Sequence, residues 1–529
     1  MRKRIISVAI VIAVFLGLFV NCNIADSSAT PELNIVDDNY RNYYEVFVYS
    51  FCDSDGDKIG DLNGVTQKLD YIQDMGFNGI WLMPIMPSTT YHKYDVTDYC
   101  AIDKDYGTLD DFKTLVEECH KRDIRLIIDF VMNHTSSEHE WFTKACDYLR
   151  TLKEGEDANA EDCKYVDYYH FSKEQVDGTY YKVVGSEYYY EGSFWEEMPD
   201  LNMMNSDVRA EFEKISKFWI DLGVDGFRMD AAMHYEEGST EKNSEILNWL
   251  YTYCTSLKPD FYMVSEVWAN KSTIADYYAS ETPSMFNFDT SSAEGCIARA
   301  AMGTYSAQRF VECMLQYQED YSSENKNYID APFLTNHDQV RIANNLQGNI
   351  TNMKMAAGLL MMMNGSPFVY YGEEIGMESQ GQEDENKRLP MRWSDEDTTG
   401  MTNGPEGCKN DIEYTIGAED KQIDDEESLL NYYKRAILLR NQNPEIARGE
   451  IEIVDSLTAD KQAVITKTYD GSTIAIVYNT GDEAVDIDLS KTALEGMEIC
   501  GTLTISPKEE IDMDGNTIKM PAKSIAILK

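Results

Sequence analysis

Basic residues are scarce: Lys and Arg together number 46 against 93 Asp and Glu, a net charge of −47 over 529 residues. Such a field repels phosphate backbones and anionic headgroups, which excludes nucleic acid and charged membrane surfaces as partners. Neutral and cationic ligands stay open. Proline is also rare, at 13, and glycine reaches only 32, while 43% of the residues are hydrophobic. A collagen-like or disordered chain is thereby excluded, and the length suits about three units of roughly 150 residues each. Past residue 20 no stretch is apolar for long enough to cross a bilayer. The eleven cysteines, at 22, 52, 100, 119, 146, 163, 254, 296, 313, 408 and 500, include no CxxC pair, so the commonest zinc signature is absent.

What is present begins with a basic start, Met1-Arg-Lys-Arg4, followed by an apolar run over residues 5–20. That run falls short of the roughly 20 residues of a bilayer span, so residues 1–30 read as an export signal and short linker. Its processing stays open. Phe19-Val20-Asn21-Cys22 resembles a lipoprotein box with Cys22 as the lipidated residue, although Phe19 and Asn21 depart from it. Ser27-Ser28-Ala29 supplies the small residues of ordinary cleavage, and an uncleaved anchor is the third reading. The protein is expected outside a bacterial cell, secreted or surface-anchored, as a monomer whose only membrane contact is a lipid at Cys22. Export permits disulfides, but Cys100, Cys119 and Cys313 lie in apolar segments and are expected as buried free thiols.

From about residue 44 short apolar runs alternate with helix-period segments. Strands are expected at 45–49, 79–84, 125–131, 226–231, 261–267, 284–289, 332–338 and 366–371, with helices such as 108–122, 208–222 and 353–362 between them. Eight such strands predict a (β/α)8 TIM barrel in the α/β class rather than an open doubly wound sheet. Two gaps exceed an ordinary βα loop. A Tyr-rich stretch, 135–202, reads as a domain inserted after strand 3, dividing the barrel into 38–134 and 203–445. A Gly-, Asp- and Glu-rich excursion follows strand 8 over 372–427. From 446 to 529 alternation dominates, with strands expected at 463–468, 473–478, 485–489, 502–505 and 524–528, which predicts a C-terminal antiparallel β-sandwich. The aromatics of the insert are expected mostly to form its own core.

Chemistry in such a barrel gathers at the C-terminal strand ends. Those ends carry Asp129, Asp230, Glu266 and Asp338, flanked by Asn133, His134, Arg228, His234, Asn336 and His337. One Asp at a strand end is commonly a helix cap; four acids at four ends, each beside Arg, His or Asn, are not explained that way. The segments Asp129-Phe-Val-Met-Asn133-His134, Gly226-Phe-Arg228-Met-Asp230, Val264-Ser-Glu266-Val-Trp268 and Phe333-Leu-Thr-Asn336-His337-Asp338 resemble, in order, the four signature regions of the α-amylase superfamily. Met198-Pro-Asp200-Leu-Asn202 resembles a fifth. The resemblance spans about residues 40–529 and implies cleavage of α-1,4-glucosidic bonds of starch and related α-glucans with retention. It makes Asp230 the nucleophile, Glu266 the acid/base and Asp338 the transition-state stabiliser.

The residue types suit those roles. Retaining glycosidases need a carboxylate nucleophile and a carboxylic acid about 5–5.5 Å apart. Arg228 lies two residues before Asp230, on the same side of a strand, where its charge opposes protonation of the nucleophile. Val264, Val267 and Trp268 can desolvate Glu266 and raise its pKa. By resemblance, His134 and His337 bind sugar hydroxyls at the distorted subsite, and in Tyr91-His92-Lys93-Tyr94-Asp95 the His92 ring binds and the Tyr94 ring stacks on the glycone sugar. His234 matches an amylase position contacting the leaving-side sugars, although Met233 replaces its usual Lys. Ala231 stands where the 1,6-acting branch has Val, and Tyr91 where that branch has a small acid. An open cleft and internal cleavage are therefore expected. An α-glucosidase or oligo-1,6-glucosidase, a transglycosylase, and a silent glycan-binding barrel are the alternatives.

Asp53-Ser-Asp55-Gly-Asp57-Lys-Ile59-Gly-Asp61 places acids at every second position after strand 1. Lys58 and Gly64 break the EF-hand pattern, but the stretch resembles the superfamily's own calcium loop. That implies Ca2+ held by the carboxylates of Asp53, Asp55, Asp57 and Asp61 and the carbonyl of Ile59. Asn133 and Asp200 match a second calcium position used by another branch.

Overall fold

The computed structural model describes residues 39–176, 178–409 and 414–529. The expected export signal, with Cys22, lies outside the described residues. In chain order the strands are β1 (Tyr43–Val46), β2 (Gly79–Leu82) and β3 (Arg125–Phe130), then β4 (Phe171–Ser172), β5 (Tyr180–Lys182) and β6 (Tyr189–Glu191). There follow β7 (Gly226–Met229), β8 (Tyr262–Ser265), β9 (Ser284–Asn287), β10 (Ile329–Pro332) and β11 (Phe368–Tyr370). The C-terminal strands are β12 (Glu450–Ile453), β13 (Gln462–Tyr469), β14 (Ser472–Asn479), β15 (Val485–Asp488), β16 (Ile499–Leu503), β17 (Asp512–Asp514), β18 (Thr517–Met520) and β19 (Ser524–Leu528).

Eight parallel strands form the TIM barrel in the order β10-β9-β8-β7-β3-β2-β1-β11. A parallel bridge between Phe333 and Phe368 joins its two ends. The interior is filled by rings. Tyr43 lies between Tyr262, at 5.3 Å and 10°, and Phe368, at 4.6 Å and 8°. Gly79 makes room for it, since a Cβ there would sit 2.5 Å from the Tyr43 ring. Between β3 and β7 stand the helix Glu140–Thr151 and the small antiparallel sheet β4-β6-β5. Tyr168, Tyr169, Tyr188 and Tyr190 of this insert are buried, whereas Phe194 and Trp195 are exposed.

Several boundaries differ from those expected. β1 begins two residues earlier and ends at Val46, because the chain turns through Val48–Phe51 into the Asp-rich loop. β10 occupies Ile329–Pro332, not 332–338; past the Phe333 bridge the polar run folds on itself, Asp338 N donating to Asn336 Oδ1 at 3.0 Å. The C-terminal region has eight strands rather than five, in a five-stranded sheet β12-β13-β14-β19-β16 and a three-stranded sheet β15-β18-β17. The overlooked β17–β18 hairpin turns at Gly515, φ +64°, a position that favours glycine. None of the ten described cysteines forms a disulfide; Cys119 and Cys313 are buried, but Cys100 is only half-buried.

One buried basic side chain joins the C-terminal sheet to the barrel, and a second, on the barrel helix Leu429–Gln442, braces the same turn. Lys467, on β13, donates to Met362 O at 2.8 Å, Ile446 O at 2.7 Å and Asn364 Oδ1 at 2.6 Å. Arg440 donates to Met361 O at 2.8 Å, Met363 O at 2.6 Å and Gly365 O at 2.5 Å. They cap the carbonyl end of the helix Ile350–Met361, where positive charge is favoured, and the turn leading to β11. Replacing Lys467 by Met should orphan two buried carbonyls and one part-buried acceptor and cost about 2–4 kcal/mol. A urea titration measures this, and an unchanged midpoint would remove the anchor from the account.

Candidate active site

The catalytic mouth is built from strand ends. Arg228 lies on β7 with its side chain 1% exposed, and Asp230 follows that strand. The guanidinium makes three ion pairs: Nη1 to Asp129 Oδ1 at 2.9 Å, Nη1 to Asp230 Oδ1 at 2.5 Å, and Nη2 to Glu266 Oε1 at 3.0 Å. Asp129 on β3, Asp230 after β7 and Glu266 after β8 are thus gathered by one positive group. Glu266 Oε2 accepts from Ala231 N at 2.9 Å. Ala231 itself is left-handed, with φ +47°.

Three buried acids facing one cation cannot all be ionised cheaply. Burial pushes Asp129 up to about 7, against the pull of Arg228. Burial likewise raises Asp230, with Arg228 opposing. Glu266 is raised by burial and then by the charges of Asp230 and Asp338, with Arg228 again opposing. Asp338 behaves in the opposite way. Burial alone would raise it, but His337, whose Nε2 lies 3.0 Å from Oδ2, and Arg388, whose Nη2 lies 2.7 Å from Oδ1, hold it far below the ordinary carboxylate range.

His337 is buried between acids, with Nδ1 2.6 Å from Glu45 Oε1 and Nε2 also 2.7 Å from the Tyr94 hydroxyl. Tyr94 donates in turn to Asp129 Oδ2 at 3.0 Å, so the chain of contacts runs from β1 to β3. Burial would lower His337, yet Asp338 and Glu45 push it up to about 9. His92 and His134 are the reverse, each lowered to about 4, by burial first and, for His92, by the nearby Arg388. Tyr94 N donates to His92 Nδ1 at 3.2 Å, which leaves the proton of the neutral ring on Nε2. His134 is buried beside Phe194, ring centroids 5.5 Å apart.

Of the residues singled out from sequence, Arg228, Asp230, Glu266, Asp338, His337 and Tyr94 meet in one network. His234 stands apart on the rim, its Nδ1 2.6 Å from Glu237 and its ring 5.0 Å from Phe194. Asn133 Nδ2 donates to Asp200 Oδ1 at 3.2 Å, so that pair is adjacent. Asp129, a strand-end acid already in the sequence, joins the network through Arg228. Two further members carry no signal there: Glu45 is a lone acid in an apolar strand, and Arg388 lies in the excursion after β11, where no spacing points to the cleft.

In the loop after β1, carboxylate oxygens of Asp53, Asp55 and Asp61 lie within 4.8 Å of one another. Asp57 is not in that group; its Oδ1 accepts from Ile59 N at 2.7 Å. The carboxylates also shape the loop, Asp53 accepting from Gly56 N at 2.7 Å and Lys58 N at 3.0 Å. Lys58 is left-handed, with φ +76°. An all-oxygen donor set of this kind suits a hard divalent cation.

Comparison with known proteins supplies the context. The family profile "Alpha amylase, catalytic domain" matches residues 45–449. The chain is 39% identical to Alpha-amylase 3 of Dictyoglomus thermophilum over 460 residues, covering 84% of each chain. It is 28% identical to an oligo-1,6-glucosidase of Bacillus cereus, over 85% of this chain and 93% of that one. Among solved structures, Eubacterium rectale Amy13B superposes with a TM-score of 0.91 at 43% identity, covering 94% of this chain and 97% of the other.

His337 gives a direct test of the network. Its raised pKa contributes stability that is complete below roughly 6.5 and is lost as pH rises through about 9. In Glu45→Gln one of the two carboxylates holding the proton is gone, and the ring should titrate lower by about one unit or more. Ring proton shifts followed by NMR across the pH range report this; an unshifted titration would break the link from β1 to the site.

Proposed function

This chain belongs to the α-amylase family of glycoside hydrolases, and within that family we propose that it cleaves α-1,4-glucosidic bonds inside starch and maltooligosaccharide chains with retention. The observation that carries the reading is the shared guanidinium: Asp230 and Glu266 are paired to its two ends. That supports the short carboxylate spacing of a retaining site rather than the wider gap that admits water.

Asp230, hydrogen-bonded by Arg228, attacks the anomeric carbon. Glu266, raised by burial and by its acidic neighbours, protonates the departing oxygen and later takes a proton from water. Asp338, fixed as an anion by His337 and Arg388, faces the positive charge that develops on the sugar ring. Neutral His92 and His134 and the ring of Tyr94 hold the glycone sugar, and His234 on the rim meets the leaving side.

A hydrolysis assay on a maltoheptaoside blocked at its non-reducing end tests cleavage mode, with product anomers followed by NMR. α-Products from the blocked substrate are expected, and Asp230→Ala should lose more than about a thousandfold in rate. Inertness toward it, together with glucose release from isomaltose, would instead favour the oligo-1,6-glucosidase activity named for the Bacillus cereus relative.

Asp53, Asp55 and Asp61 would hold calcium, with Asp57 and the Ile59 carbonyl as the further ligands that the resemblance to the family's calcium loop implies. The ion would neutralise the acid cluster and fix the loop rather than take part in bond cleavage. The apolar run before residue 21 supports export, by secretion or by a lipid at Cys22. Chelation should lower the melting temperature and added calcium restore it through linkage; identical melting curves with and without chelator would count against the site.

A further inference from the structure

Lys93 stands between the two side chains given to the glycone sugar, His92 and Tyr94, and its φ is +67°. That left-handed conformation suits glycine and is costly for a long side chain, so the surroundings must hold it. The lysine is turned inward. Its side chain is 4% exposed, and Nζ lies 3.0 Å from Oδ2 of Asp103, itself 5% exposed. Nζ also donates to Thr90 O at 3.5 Å and lies 5.2 Å from the centre of the Tyr106 ring. The anchor is fixed in turn: Asp103 N donates to Ile85 O at 2.9 Å, just past β2, and Asp103 O accepts from Tyr106 N at 2.9 Å.

The base of this loop is closed by other contacts. Ser88 and Val96 form an antiparallel bridge, and Asp95 accepts from Thr89 N at 3.0 Å and from the hydroxyls of Ser88, Thr89 and Thr90. At the tip, the 3.2 Å bond from Tyr94 N to His92 Nδ1 closes over residue 93. Turning φ back to negative values would carry that N–H away from the ring. The Tyr94 ring, next in the chain, lies against His337 with centroids 5.6 Å and planes 15° apart. A buried ion pair adds little net stability over apolar side chains of similar size, but it can select one conformation. We propose that the Lys93–Asp103 pair keeps residue 93 left-handed and thereby presents His92 and Tyr94 together to the glycone sugar. Lys93 is thus a positioning residue that touches no sugar itself. This rests on the roles given above to His92 and Tyr94.

The test compares two double variants that differ only at residue 93, Lys93→Met and Lys93→Gly, each combined with Asp103→Asn. The asparagine removes the uncompensated charge and keeps the acceptor that Asp105 N uses. Activity is read as kcat/KM on p-nitrophenyl α-maltotrioside, and the turn through the His337 ring protons in NMR spectra. The Met variant keeps the strain without the tether, so kcat/KM should fall about tenfold or more and the His337 resonances should move. The Gly variant has neither strain nor tether and should stay within about threefold of wild type, with those resonances in place. Such a rescue restores no contact, so a merely structural ion pair would not give it. Asp103→Asn alone, which breaks the pair and leaves residue 93 untouched, should fall between, and it replaces the Met variant if that one does not fold. An unchanged Met variant, or a Gly variant as impaired as the Met one, would overturn the proposal. His92→Ala should lose at least as much kcat/KM as the Met variant. No loss there would overturn the glycone assignment and the positioning role together, whereas a loss there beside an unchanged Met variant would overturn the positioning role alone.

Discussion

One guanidinium set against three buried carboxylates is the constraint around which the catalytic mouth is arranged. Arg228 contacts Asp129, Asp230 and Glu266 at once, and its planar fork offers the directed donors that a lysine ammonium lacks. Burial, only partly offset by this one cation, keeps the group's proton affinity high. Asp338 is placed outside this shortage with two cations of its own. The mouth thus divides its acids into a group able to exchange a proton and a single permanent anion, using nothing more than the distribution of Arg and His.

That arrangement depends on a rigid support. Aromatic rings pack the barrel beneath the acids, with Tyr43 stacked between Tyr262 and Phe368. Arg440 and Lys467 hold the turn before β11 from the opposite side. The strand paired with β1, which carries Glu45, is therefore fixed by a contact originating in the C-terminal sheet. Packing below the site and charge within it are linked through β1 and β11.

Most of the barrel was legible because its strands are short apolar runs separated by helix-period segments, and the acids at their ends fall within recognisable segments. What escaped did so for physical reasons. The strand end at Pro332 is decided by a bridge to Phe368, a contact far away in sequence. Glu45 is half of a pair whose other half, His337, is 292 residues away. Arg388 reaches Asp338 from an irregular excursion without periodicity. The β17–β18 hairpin was hidden by its charged alternation, although Asp514-Gly515 is a turn signal.

The left-handed backbone at Ala231 has a further consequence. Alanine tolerates φ +47° at modest cost, whereas a β-branched side chain in that conformation crowds its own carbonyl. Because the same residue's N–H is aimed at Glu266, the turn cannot relax without moving the donor away from the acid. A β-branched residue at 231 would therefore act on the acid through the backbone, by straining the turn that aims this donor, and not through any contact of its own side chain.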